Sequence, residues 1–200
     1  MFTAGGWAMY PLIALSILSV ALSFERLIFW LGVNGHNRSF ESLLESARRG
    51  VGSAKGKARR RRGFYGRFLD GLGDRLGSGS GREHELDAVA LELLEEVRPS
   101  IERFSVTLST IITAAPMLGI LGTVTGIIAS FQILGDSGGV TDPVAVAGGV
   151  AEALITTAAG LVVALVTLFP FVWARSQSER CLGRLEALVA AAQAGLTRSD

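Results

Sequence analysis

Residues 105–134, SVTLSTIITAAPMLGILGTVTGIIASFQIL, run for thirty positions without a formal charge. A helix crosses the hydrocarbon of a bilayer with about 20 apolar residues, so this one stretch already directs the chain to a membrane. Its composition adds a second constraint. Ser109, Thr110, Thr113, Gly119, Gly122, Thr123, Thr125 and Gly126 are spread through it, with Ala114, Ala115 and Ala129 between them. Small residues let helix backbones approach, and hydroxyls suit a lining for something polar. Such a helix expects close helix neighbours as well as lipid.

Two further apolar runs exist: Trp7–Trp30, broken near its end by Glu25-Arg26, and Val144–Ala174, broken by Glu152. The chain is 49% hydrophobic and 18% charged, which places it in the membrane class. No Lys or Arg precedes Arg26 and no convincing small-residue cleavage site follows the first run. That run is therefore expected to be a retained helix and not a signal peptide.

The distribution of charge sets the expected topology. Of the nineteen Lys and Arg residues, one is Arg26, fourteen lie from Arg38 to Arg103, and four lie from Arg175 to Arg198. Residues 1–24 and 135–143 contain none. The positive-inside rule then predicts an all-α integral membrane protein with its N-terminus outside. Transmembrane helices are expected at 7–30, 105–134 and 144–174. A cytoplasmic loop with helical segments is expected at 31–104, a periplasmic loop at 135–143 and a cytoplasmic tail at 175–200.

Within 31–104, residues 38–49 have the pattern of a short amphipathic helix. The basic, Gly-rich stretch 50–66 and LGSGSG at 76–81 read as flexible connections. From Arg82 to Phe104, Leu86, Val89, Ala90, Leu93, Val97 and Ile101 recur at helical spacing. This helix is expected to run on into the second span, with a kink at Pro99. The Arg59–Arg62 cluster has no aromatic-stacking module around it and fits anionic lipid headgroups, at about 1 kcal/mol per charge, better than nucleic acid. Cys181 is the single cysteine and reads as a packing side chain. No metal or cofactor set is visible. No Ser/His pair or paired intramembrane aspartates support an enzyme.

The chemistry-bearing candidates lie in the last two spans. An ionisable group inside a membrane is a functional hypothesis by default, which singles out Glu152. It also stands close to the external loop, so structural pairing and a part in ion entry are both open. At about 100° per residue, Thr156 lies one turn from Glu152 and Gly160 one turn further, while Thr157 points about 140° away. The third helix thus offers two polar faces. Thr123 carries a hydroxyl that can both donate and accept. Pro116, Gly119, Gly122, Gly126 and Gly160 are the candidates for helix packing.

Three stretches together resemble the MotA/TolQ/ExbB family of proton-channel proteins, most closely its ExbB/TolQ branch. They are GGWAMYPLIALSILSVALSFERL, LSTIITAAPMLGILGTVTGIIASF and GVAEALITTAAGLVVAL. The resemblance implies a homopentamer in a bacterial inner membrane. It implies that this pentamer surrounds the single transmembrane helices of two ExbD/TolR-like partners, whose intramembrane Asp carries the proton. It further implies that Thr123 and Thr157 occupy the family's polar pore positions, that Glu152 is its third-span acid, and that motion passes to a TonB/TolA-like effector. A non-conducting scaffold, a flagellar-type stator and sodium coupling are the alternatives. The proline that the family places soon after Gly-Leu is absent here, and one appears only at Pro170.

Overall fold

A computed structural model describes residues 6–35, 40–49, 63–76, 83–136 and 143–196. These residues form six helices and, among them, no strand: α1 (Met9–Gly35), α2 (Phe40–Arg48), α3 (Phe64–Leu76), α4 (Glu83–Ile101), α5 (Ser105–Asp136) and α6 (Pro143–Leu196). Three of them, α1, α5 and α6, are long and apolar enough to cross a membrane. The loop 137–142 and the basic stretch 50–62 lie outside the described residues.

The chain divides into two compact units. The first takes Met1–Arg26 and Phe104–Trp173, and the second takes Leu27–Arg103 and Ala174–Asp200. In the first unit, Gly6 adopts φ 61°, a left-handed conformation that glycine tolerates without steric cost, and its carbonyl accepts from the Met9 N–H at the head of α1. Leu12, Ile111, Ala115 and Val163 form a small buried core. Most large apolar side chains of α5 and α6 point outward; Met117 and Phe169 are each 69% exposed. Each such side chain is worth about 1.5–3 kcal/mol when removed from water, so these faces require an apolar surround.

The second unit has an ordinary water-excluding core. Leu69, Leu72, Leu86, Leu185 and Leu188 are fully buried in it, with Trp30 and Phe68. Arg75 of α3 pairs with Glu92 and Glu96 of α4 at 2.8 and 2.6 Å. These exposed bridges orient the helices more than they stabilise them, since such pairs contribute about 1 kcal/mol or less. The indole nitrogen of Trp30 is buried without a hydrogen-bond partner.

Tyr65, Cys181 and Arg184 meet inside this unit, where an Arg184 Nη1 donates to the Tyr65 hydroxyl at 3.5 Å and the guanidinium stacks on Phe40. Burial pushes the Tyr65 phenol up to about 12, against the opposing pull of Arg184, and burial also raises the Cys181 thiol. Both groups are neutral in the fold where the unfolded chain would ionise. Their stabilising effect is complete below the unfolded values and is lost as pH climbs through the folded ones. The second unit should therefore hold its stability at neutral pH and weaken progressively between about pH 9 and 12. Ultraviolet titration should show the Tyr65 phenolate appearing together with loss of helicity. Ionisation near pH 10 in an intact fold would contradict this.

Two sequence expectations need correction. First, α4 does not run on into α5. The chain breaks at Glu102–Phe104, and Pro99 sits inside α4. Phe104 has φ 63°, where a Cβ is crowded, and its carbonyl accepts the first bond of α5 from the Leu108 N–H at 2.9 Å. The ring is held beneath the Arg26 guanidinium, 5.7 Å away; Arg26 is itself buried and bonded to Glu25 at 2.7 Å. Leaving the left-handed region is worth about 1–2 kcal/mol to a residue with a Cβ, and the ring contact about 0.5–1 kcal/mol. Phe104→Gly should thus sit within about 1 kcal/mol of wild type, while Phe104→Val keeps the strain, loses the ring and should cost more. Chemical unfolding of both variants tests the ranking.

Second, the flexible connection expected over 50–66 ends earlier. Residues from Phe64 belong to α3, whose interior holds Gly66, Gly71 and Gly73. Tertiary packing overrides those glycines, because Tyr65, Phe68, Leu69 and Leu72 recur at helical spacing and all are buried.

Candidate functional site

The site is built where α5 and α6 pass at backbone distance. A Cβ at Gly160 would stand 2.5 Å from the Ala115 carbonyl oxygen and 3.1 Å from Gly119 Cα. One at Gly119 would meet the backbone of Thr156 and Thr157 at 3.1 Å, and one at Gly126 would meet Ala153 Cβ at 2.8 Å. Gly149 faces Ser130 in the same way. The close contacts of these four glycines, in antiparallel order, therefore fix the register of the two helices. Register, in turn, decides which polar side chains meet.

It brings Thr123 and Thr157 together. Their hydroxyls are bonded to each other across the interface. Thr157 Oγ1 donates to the Gly119 carbonyl at 3.1 Å, and Thr123 Oγ1 lies 3.0 Å from the Ala153 carbonyl and 3.1 Å from that of Gly119. Each hydroxyl has one proton to give, so two protons serve a set of acceptors that outnumbers them. The donors of this pair can be reassigned without moving a heavy atom. Both side chains are half-buried.

Glu152 and Thr156 stand elsewhere. They line a cavity of about 350 Å³ in the first unit, together with Gly6, Trp7, Thr125 and Ser130. Thr156 is buried, donates to the Glu152 carbonyl at 3.1 Å and packs against Gly122. Glu152 is half-buried, and no described side chain forms an ion pair or hydrogen bond with its carboxylate. The four polar residues singled out in the sequence thus form two separate pairs. Pro116 lies within α5, where it removes the donor that would serve the Ile112 carbonyl. Pro170 lies within α6, which continues through it.

The sequence reading missed Ser130 and Trp7 as lining residues. Ser130 is buried and donates to the Gly126 carbonyl at 2.9 Å, and its opposition to Gly149 is legible only once the register is known.

Comparison with known proteins bears on what this arrangement serves. Residues 67–187 match the model of the MotA/TolQ/ExbB proton channel family. The chain is 37% identical over 175 residues to the biopolymer transport protein ExbB-like 1 of Synechocystis sp., covering 85% of this chain and 67% of that protein. It is 36% identical over 170 residues to ExbB-like 3 of the same organism, with 82% and 79% covered. Over 96 residues it is 34% identical to the biopolymer transport protein ExbB of Xanthomonas campestris, covering 48% of this chain and 38% of that one.

Proposed function

The chain belongs to the MotA/TolQ/ExbB proton channel family, and from that premise we propose that it is the channel-forming stator subunit of an inner-membrane motor. Five copies surround the membrane helices of a small ExbD/TolR-like partner that brings an intramembrane Asp. The N-terminus lies outside, residues 135–143 form an external loop, and residues 31–104 and 175–200 are cytoplasmic, as the positions of Lys and Arg favour. Proton movement down its gradient, worth about 2.3 kcal/mol per charge per 100 mV, drives the motion that a TonB/TolA-like effector receives.

The observation that carries this reading is the Thr123–Thr157 hydroxyl pair. A path for protons needs groups that give and take hydrogen bonds without holding a charge, and the surplus of acceptors around the pair supplies that. The outward-facing apolar side chains of α5 and α6 support a multi-subunit arrangement in lipid. Within the apolar stretches 7–30, 105–134 and 144–174 the acids are Glu25, which is paired with Arg26, and Glu152; so few acids fit a titrating group contributed by a partner.

One observation favours a non-conducting scaffold instead. The threonine hydroxyls reach backbone carbonyls of their own chain, as purely structural threonines would. Native mass spectrometry of protein extracted gently from its host membranes separates the two. A pentamer with two copies of a single-span protein bearing one intramembrane Asp supports the motor. An oligomer of another order without an acidic companion sinks it. Glu152→Gln should impair proton flux less than Thr157→Val does, because the carboxylate lies outside the threonine pair.

A further inference from the structure

We infer that the cavity around Glu152 is a binding site for a compact organic ammonium ion, anchored on the Glu152 carboxylate. Three observations converge. The first is polarity. The hydroxyl protons of Thr125, Ser130 and Thr156 are committed to backbone carbonyls, at 3.0, 2.9 and 3.1 Å. With its hydroxyl donors spent, the lining offers oxygen acceptors and one carboxylate beside the indole N–H of Trp7, a balance that favours a cationic donor over an anion.

The second is size. A water molecule takes about 30 Å³, so about 350 Å³ is far more than one dehydrated metal ion needs. The lining also includes Gly122, Gly126, Ala129 and Ala153, whose small apolar surfaces suit a compact hydrocarbon body. The third is the indole of Trp7, which is exposed and lies at the lining, where its face can cover an ammonium group. A ligand with one protonated amine on a compact apolar frame answers all three. The same chemistry can come from a free amine or from the ethanolamine headgroup of a lipid.

This site stands apart from the threonine pair, and its test needs no proton flux. The full-length protein, in nanodiscs of phosphatidylglycerol, is titrated with cyclohexylammonium chloride and followed by ligand-observed NMR. Binding is expected, with none by cyclohexanecarboxylate. Glu152→Gln should weaken it about tenfold or more, the loss expected for one charge-assisted contact. Ala129→Leu adds three carbons to the lining and should weaken it, and circular dichroism should show that variant folded, since Ala129 is exposed. If the headgroup is the occupant, phosphatidylethanolamine in the disc will compete with the amine; if a free amine is, that lipid will leave the titration unchanged. Binding that survives both substitutions overturns the assignment. So does displacement of the amine by an equal concentration of sodium.

Discussion

Gly160→Ala should destabilise the protein by about 1–3 kcal/mol, while Gly148→Ala should stabilise it by about 0.5–1 kcal/mol. Both glycines lie inside α6, so helix propensity alone predicts a gain at each. Their surroundings reverse the sign at one. A methyl at Gly148 meets nothing within 4 Å, whereas at Gly160 it would lie 2.5 Å from a backbone carbonyl of α5. A side chain could rotate away, but a backbone oxygen moves only if α5 moves with it. The helices must separate, and the contacts at Gly119 and Gly126 loosen with them. Detergent titration monitored by helicity would register the opposite shifts. Equal shifts at the two positions would mean that the α5–α6 contact is not the close one described.

That contrast also marks what the sequence could convey. Three apolar runs were enough to mark three helices able to cross a membrane, because the length and hydropathy of a span depend on little else, though α6 continues past Ala174 to Leu196. Helical period was enough to part Thr157 from Glu152 on α6. It could not tell which residue of α5 each one meets, because register is set by where glycine backbones touch, and that is a property of two helices at once. Thr123 therefore found its partner only in the structure, and Ser130 became visible only opposite Gly149. The break before α5 was illegible for a different reason. Proline is the residue with a strong local penalty, so Pro99 drew the kink, yet the chain turns at Phe104, a position that no propensity favours and that the Arg26 contact helps to hold. Likewise α3 is poor in local signal and exists because its apolar stripe has a core to enter.

Thr157→Val should leave the assembly intact and cut proton flux about tenfold or more, a barrier increase of about 1.4 kcal/mol or above. Valine reproduces the shape of threonine and removes only its hydroxyl. The question is what the loss leaves behind. Thr123 Oγ1 lies within reach of the Ala153 and Gly119 carbonyls, so it can donate to either without Thr157. The carbonyls also keep their intrahelical partners, so no acceptor is stranded and the stability cost should stay near the 0.5–1.5 kcal/mol of one hydrogen bond. A scaffold would tolerate that. A proton path would not, because the remaining hydroxyl can turn its proton between two carbonyls but has no second hydroxyl to hand a hydrogen bond on to. Thr157→Ser restores the oxygen and should restore most of the flux, which a role in packing alone would not predict. The measurement is dye-reported acidification of proteoliposomes holding the whole complex, beside native mass spectrometry of the same preparation. Normal flux through an intact Thr157→Val complex would remove the threonine pair from the proton's route and leave the scaffold as the better account.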